Sequence, residues 1–368
     1  MKILVLGNAN SKWIKEFIQY ILLPLNIEVT IVLPKTGSQY LQFYLDHGVN
    51  IKTEYGPSRI LRRIPFFRVL DAANRTFRNN KWEAYDYVIN LFVNHKDLWL
   101  SKRIRGSKII LYYCGSDVFR KSNFDLIINR LIVHKPFKIF VGSKALYENL
   151  TRRISDLKDV QIIRFGISVL DELKKTDFSG NHDCNKQHYT FCIGYNGAME
   201  QQHIKVIKAF TKIEDAKKNK VKIVIPMTYR CIPTYLEDVR NNLDNTGISY
   251  RILTEYMNNK QMAQMWSQID YFINAQTTDS LSASVLESIY AGCTLINGSW
   301  LKYPEYDEFQ LQYYDFTTFD ELFDILNGIL TEKIHPIIQT DISKIYDGMS
   351  WEKAKKHWKS ILFNHVFI

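Results

Sequence analysis

Residues 271–296 run Tyr271-Phe272-Ile273-Asn274-Ala275-Gln276-Thr277-Thr278-Asp279-Ser280-Leu281-Ser282-Ala283-Ser284-Val285-Leu286-Glu287-Ser288-Ile289-Tyr290-Ala291-Gly292-Cys293-Thr294-Leu295-Ile296. The opening apolar run predicts a strand over Tyr271–Asn274. A loop of small polar residues follows, then a segment of helical periodicity that begins near Ser282 and covers Ser284–Ala291. Thr294–Ile296 reads as the next strand. Strand, helix and strand in that order form a crossover unit, and crossover units build parallel sheets.

The same alternation extends in both directions. Upstream strands are expected at Lys2–Leu6, Glu28–Leu33, Val49–Thr53, Tyr87–Leu91, Lys108–Tyr112, Lys138–Val141 and Gln161–Ile163, with helices such as Lys12–Leu22, Gln39–His47, Lys96–Ile104 and Lys144–Ile154 between them. Further strands are expected at Thr190–Gly194, Lys222–Ile225 and Tyr250–Leu253, and helices at Gln202–Ile213, Tyr235–Leu243, Asn259–Gln268 and Phe319–Leu330. Such a chain folds as α/β with parallel sheets covered on both faces. The polar stretch Asp171–His188 separates two doubly wound domains, at 1–170 and 189–345, and 346–368 forms a final helix that returns to the N-terminal domain. Two such domains facing across a cleft bring the carboxyl ends of their strands around one ligand site.

The chain has 368 residues, 46% hydrophobic and 23% charged, within the range of folded globular proteins. The longest candidate for a membrane span, Phe17–Leu33, is interrupted by Pro24, Asn26 and Glu28. Met1–Gly7 is too short an apolar stretch for a secretory signal and reads as a first strand. Five scattered cysteines, Cys114, Cys184, Cys192, Cys231 and Cys293, form no Cys-x-x-Cys pair, which argues against a zinc site and for a reducing cytosol.

Charge is unevenly distributed. Residues 1–175 hold 29 Lys and Arg against 15 Asp and Glu, whereas 176–368 hold 19 against 23. The basic half is therefore expected to meet something anionic. Its densest stretch, Arg59–Leu70, interleaves Arg59, Arg62, Arg63 and Arg68 with Phe66, Phe67 and aliphatic residues, and Arg75, Arg78 and Lys81 follow. That pattern suits docking on anionic lipid headgroups at the inner membrane face. The plainer reading is a solvated helix with its apolar residues turned to the core. Nucleic acid is disfavoured, because no helix-turn-helix, zinc-finger or RNA-recognition pattern accompanies the charge.

The decisive segment also carries chemistry. Ser282 is placed to cap its helix, and the backbone N–H groups of Ala283, Ser284 and Val285 would point out of the first turn. Small side chains there admit a phosphate, which the helix dipole favours. Glu287, further along the helix, can accept two hydrogen bonds from a ribose diol, and Asp279 in the preceding loop reaches another part of the ligand. The alternative is an ordinary buried helix start with a serine cap. In the other half, Asp117 in its Gly-Ser-Asp turn is the candidate for orienting an acceptor or acting as general base, or else it caps the next helix. Gly7 and Asn8 after the first strand, and His95, are candidates to line the cleft. Gly7-Asn8-Ala9-Asn10-Ser11 is not Gly-x-Gly-x-x-Gly, which disfavours a dinucleotide cofactor. Arg164-Phe165-Gly166-Ile167 is expected to set hinge geometry.

Asp279-x7-Glu287 followed by Ser-Ile-Tyr-Ala-Gly-Cys-Thr-Leu-Ile resembles the E-x7-E segment of family 4 glycosyltransferases of the glycosyltransferase-B fold, which is built of two Rossmann-like domains. The resemblance implies that Glu287 binds the nucleotide ribose and Asp279 the donor sugar, with Asp in place of the family's first Glu. Ile193-Gly194-Tyr195-Asn196-Gly197-Ala198, Gln202-His203-Ile204, Ile225-Pro226-Met227-Thr228-Tyr229, Ile252-Leu253-Thr254-Glu255 and Asp270–Ile273 resemble the 4-acetamido-4,6-dideoxygalactose transferases of enterobacterial common antigen synthesis. So does Tyr113-Cys114-Gly115-Ser116-Asp117-Val118-Phe119. The likeness covers roughly residues 105–305 and is strongest from 190 to 300. It implies donor contacts at Asn196, Gly197, His203, Met227, Tyr229 and Tyr256.

Family 4 enzymes usually carry an Arg and a Lys in the loop after the first strand of the second domain, and Tyr195–Gln202 has neither. Leaving-group stabilisation then falls to backbone N–H groups near Gly197, to the helix start at Ser282–Val285 and to His203, or else His203 is a helix-face residue with no ligand. No two aspartates are separated by a single residue, so the Asp-x-Asp metal motif of the other main glycosyltransferase fold is absent and no metal cofactor is expected. The expected partners are a nucleoside diphosphate sugar donor and a glycan or polyprenyl-diphosphate-linked acceptor, in capsule or O-antigen synthesis. The carboxylate spacing favours retention, whereas the dideoxysugar transferases invert. A nucleotide-sugar epimerase of the same fold and a degenerate glycosyltransferase-like binding protein are the rival readings.

Overall fold

In a computed structural model, which describes residues 1–154, 156–157, 159–175, 187–279 and 281–363, the chain forms two units, each around its own parallel sheet. The first unit comprises Met1–Gly166 together with the chain from Trp351 onward; the second comprises Ile167–Ser350. The first sheet holds β1 (Lys2–Leu6), β2 (Glu28–Leu33), β3 (Asn50–Thr53), β4 (Tyr87–Leu91), β5 (Lys108–Tyr113), β6 (Lys138–Val141) and β7 (Val160–Ile162). Its strand order is β3-β2-β1-β4-β5-β6-β7, with every pairing parallel. In the second unit β8 (Tyr189–Ile193), β9 (Val221–Pro226), β10 (Ser249–Leu253), β11 (Tyr271–Asn274), β12 (Thr294–Gly298) and β13 (Tyr314–Phe316) pair in the order β10-β9-β8-β11-β12-β13, again all parallel.

Burial explains why the strands read as unbroken apolar runs. Every residue of β4, β11 and β12 is buried, as is all of β1 after Lys2, because helices cover both faces of each sheet. The C-terminal helix Trp351–Phe363 turns Trp351, Ala354, Trp358 and Leu362 inward, at helical spacing on one face. Trp358 lies edge-on to Phe17 at 4.8 Å and to Phe140 at 5.4 Å, which seats the helix on the first unit's core.

The structure differs from expectation at several points. Asp171–Lys174, read as the start of a linker, close a helix, Ser168–Lys174, whose Val169, Leu170 and Leu173 are buried in the second unit's core. The remainder of that linker, 176–186, and with it Cys184, lies outside the described residues, as do Ser280 and the last five residues of the expected C-terminal helix. Ser343–Met349 forms a helix of the second unit, so the chain enters the first unit at Trp351 rather than at 346. Cys114, Cys192, Cys231 and Cys293 carry free thiols. Among the described residues no helix is long and apolar enough to cross a membrane.

Candidate functional site

In the second unit the chain runs outward from β8 through β9 to β10, then returns to β11 on the other side of β8. The winding direction reverses between β8 and β11, and open parallel sheets bind ligands outside the carboxyl ends of the strands at such a point. The loops there are Gly194–Gln202 after β8 and Ala275–Ser282 after β11, fastened to one another through Gln276. Its Oε1 accepts from the Tyr195 hydroxyl at 2.6 Å and from Gln201 Nε2, and its carbonyl accepts from Trp300 Nε1 at 2.8 Å. Gln202 Nε2 adds a bond to the Ala275 carbonyl at 2.7 Å, and Thr277 N–H one to the Glu200 carbonyl at 2.9 Å.

The carboxylates sit at this edge. Asp279 Oδ2 accepts from the Ser282 N–H at 3.0 Å. Burial pushes the ionisation of the Tyr195, Tyr303 and Tyr306 phenols well above the usual range, and the Asp279 charge adds to the shift in all three. Asp279 thus stands among phenols from the loop after β8 and from the segment after β12. Glu287, on the helix Ala283–Tyr290, is 4% exposed, and its Oε2 accepts from Trp266 Nε1 at 3.1 Å. Burial raises the Tyr229 phenol, a hydrogen bond with Asn196 opposes this, and both Glu287 and Asp279 add to the rise. The half-exposed Tyr229 therefore lies in the field of both carboxylates.

Neighbouring loops hold the approach. Asn196 Oδ1 accepts from the Ala198 N–H at 2.9 Å, and the Gly197 N–H donates to the Tyr229 carbonyl at 2.9 Å. A Cβ on Gly197 would stand 2.5 Å from Cys231 Cβ, so only glycine permits this close approach of the two loops. Arg230, at φ +57°, extends a guanidinium that pairs with Glu200 at 3.1 Å. A cation thus stands beside the loop after β8, supplied by the loop after β9 and paired there with Glu200.

Several expected contacts take a different form. Ser282 caps its helix by accepting from the Ser284 N–H at 3.2 Å, and the Val285 N–H donates to the Ser282 carbonyl at 3.2 Å. Two of the three N–H groups expected to point at a phosphate are thus bonded within the turn. His203 is fully buried, with Nδ1 3.2 Å from the Tyr235 hydroxyl, and burial pushes its pKa down to about 4. It is a neutral core residue behind the loop. Met227 is buried in the core with its N–H bonded to the Leu253 carbonyl at 2.7 Å, while Tyr256 is exposed beyond β10.

The first unit has its own reversal, between β1 and β4. A cavity of about 350 Å³ opens at the carboxyl ends of the strands there, lined by Gly7, Asn8, Ala9, Pro34, Glu54, Asn94, Lys96 and Asp97. Gly7 holds φ +146° with Leu91 O 2.5 Å from where a Cβ would stand, so a larger residue does not fit. Asp97 is buried, its carboxyl is raised chiefly by that burial, and Lys96 pairs with Glu54 at 2.7 Å. Neither Glu54 nor Asp97 was singled out from the sequence; an Asn three residues before an Asp at a helix start was the available signal. His95 is not among the lining residues, and its Nε2 lies 3.2 Å from the Asp125 carbonyl. Asp117 is buried, and its two oxygens accept from the N–H groups of Val93, Cys114 and Gly115 at 2.7–3.2 Å. Burial still raises its carboxyl to about 6, and this carboxylate fastens the loops after β4 and β5 to one another.

Arg59, Arg62, Arg63, Phe66, Phe67 and Arg68 are all exposed, Arg59 just before a turn at Leu61–Arg63 and the others on that turn and the start of the helix Pro65–Asn79, which buries Ala72, Ala73 and Thr76. Phe66 and Phe67 at the head of this helix are exposed, whereas Leu61, Val69 and Leu70 are half-buried, so the plainer reading of the segment holds for part of it.

No family model matches the chain, and no curated protein matches it in sequence. Solved structures do. A glycosyltransferase from Rickettsia africae is similar with a TM-score of 0.71 at 13% identity, covering 99% of both chains. HepE from Anabaena in complex with UDP-glucose is similar with a TM-score of 0.67 at 13% identity over 99% of this chain and 100% of that one. The lipopolysaccharide outer core galactosyltransferase WaaB gives 0.69 at 12% identity over 99% and 100%. The fold is that of the B-type glycosyltransferases.

Proposed function

We propose that the protein is a glycosyltransferase that moves a sugar from a nucleoside diphosphate sugar to a glycan or polyprenyl-diphosphate-linked acceptor in bacterial surface polysaccharide synthesis, capsule or O-antigen. The observation that carries the reading is the placement of Asp279 and Glu287 at the β8/β11 reversal with Tyr229 in the field of both. Glycosyltransferases of the same fold, one of them holding UDP-glucose, support it. In this reading Glu287, oriented by Trp266, accepts the ribose hydroxyls, and Asp279 accepts from the donor sugar. The bond from the anomeric carbon to the leaving phosphate oxygen breaks, a bond to an acceptor hydroxyl oxygen forms, and that hydroxyl's proton is released. The cavity at Gly7, Asn8 and Asp97 takes the acceptor, with configuration retained at the anomeric carbon and no metal. The exposed basic and aromatic segment Arg59–Arg68 docks on the anionic inner face of the cell membrane.

The self-bonded helix start favours one alternative, a degenerate binding protein. A thermal-shift panel of UDP, GDP, CDP, dTDP and their sugar conjugates, with and without EDTA, separates the two. The proposal requires one nucleotide to stabilise the protein regardless of EDTA. A flat panel would contradict it.

A further inference from the structure

The helix Asn123–Ile132 is amphipathic in an unusual direction. Leu126, Asn129 and Ile132 face the core, whereas Phe124 is 71% and Leu131 66% exposed, with Ile127 exposed between them. Positions i, i+3 and i+7 lie on one stripe, so three large apolar side chains form a continuous ridge toward solvent. A capping box at Ser122 and Asp125 fixes the start of the helix, so the ridge belongs to a defined element.

This ridge shares a layer with the basic segment. The helix Pro65–Asn79 packs against His95–Arg103, which packs in turn against Asn123–Ile132. All three belong to the first unit. His95 Nε2 reaches the Asp125 carbonyl at 3.2 Å across the second of these contacts. Across the first, a groove of about 360 Å³ is lined by Leu61, Phe67, Leu70, Trp99 and Arg103, among others. Two exposed apolar groups, Ile60-Ile64-Phe66-Phe67 and Phe124-Ile127-Leu131, thus flank one helix on the same side of the sheet.

We infer that the Phe124–Ile127–Leu131 ridge is a second docking element, inserted together with Arg59–Phe67 into the surface of an anionic bilayer. The inference rests on the membrane reading of Arg59–Arg68 proposed above. Charge selects the partner. Residues 59–70 contain four Arg and no Asp or Glu, and exposed Arg120 and Lys135 bracket the ridge. The one acidic residue in the helix, Asp125, spends its carboxylate on the Ser122 cap. A second copy meeting this face about a two-fold axis through the basic segment would set arginine against arginine, which opposes that arrangement. A bilayer of anionic headgroups over hydrocarbon satisfies both the cations and the ridge.

Cosedimentation of the full chain with sucrose-loaded phosphatidylcholine vesicles, with and without phosphatidylglycerol, tests this. Wild type should bind only the anionic vesicles. The triple variant Phe124→Ser, Ile127→Ser, Leu131→Ser should bind them at least about tenfold more weakly with its melting temperature unchanged, and Phe124→Gln alone, should the triple variant misfold, about threefold more weakly. Unchanged binding by these variants, with binding lost in Arg62→Ser, Arg63→Ser, would overturn the ridge and leave the basic segment standing. No binding by wild type would overturn both. A dimer in sedimentation velocity that the triple variant converts to monomer, with vesicle binding intact, would assign the ridge to a second copy instead.

Discussion

Trp266 Nε1 donates to Glu287 Oε2 across 3.1 Å, from the end of one helix to the middle of another. Both residues are buried, so the bond fixes one carboxylate oxygen in a setting where an unpaired polar atom is costly. The other oxygen is held in a defined direction as a result.

Trp266→Phe keeps the ring's apolar contacts and removes the donor. The dissociation constant for the nucleoside diphosphate should rise about tenfold, a loss of about 1–2 kcal/mol. Affinity for inorganic pyrophosphate, which has no ribose, should stay the same. Calorimetric titration of both ligands distinguishes positioning of Glu287 from general loosening, which would weaken both.

His203 makes stability depend on pH. Above pH 6.5 the imidazole is neutral in the folded and unfolded chains alike. Below it the unfolded chain takes a proton that the folded chain refuses until about pH 4, so stability falls across that window by up to about 3 kcal/mol. Asp117, whose carboxyl burial raises to about 6, contributes in the opposite direction over the same window, so the decline is read as the difference between wild type and His203→Gln in denaturant melts at pH 7.5, 5.5 and 4.5.

Gly197→Ala drives a methyl group into Cys231, 2.5 Å away, with backbone behind it. The loops after β8 and β9 must separate, at a cost of about 1–3 kcal/mol. Thermal denaturation should show the loss, and nucleotide binding should weaken with it.

Trp358→Ala empties the space among Phe17, Tyr112 and Phe140 where the last helix is seated. The expected destabilisation is about 3–5 kcal/mol, confined to the first unit. Amide hydrogen exchange should rise across β1, β4 and β5 while β8 and β11 keep their protection.

Much of the architecture was legible because parallel strands buried on both faces leave unbroken apolar runs. β1, β2, β4, β6 and β11 begin and end where the sequence places them. β13 was not legible, since Tyr314-Asp315-Phe316 is three residues long with an acid at its centre. The helix Asn123–Ile132 escaped because Phe124, Ile127 and Leu131 put apolar residues on both of its faces, which blurs the period. At the site, the residues that a loop-to-helix pattern can locate, Asp279, Ser282 and Glu287, do converge on one edge. Which way a side chain turns is set by tertiary contacts, so His203 and Met227 proved to be core residues and Asp117 a loop fastener. Trp266 lies 21 positions from Glu287 and Arg230 lies 30 from Glu200, and no local pattern pairs residues so far apart.

The central claim is that the edge holding Asp279 and Glu287 binds a nucleoside diphosphate through its ribose. Calorimetric titration of wild type and Glu287→Gln with UDP, GDP, CDP and dTDP tests it directly. One nucleotide should bind wild type, and the variant should bind it at least about a hundredfold more weakly, the loss expected for charge-assisted bonds to a buried carboxylate. Equal affinity in the two proteins, or no binding by wild type, would contradict it.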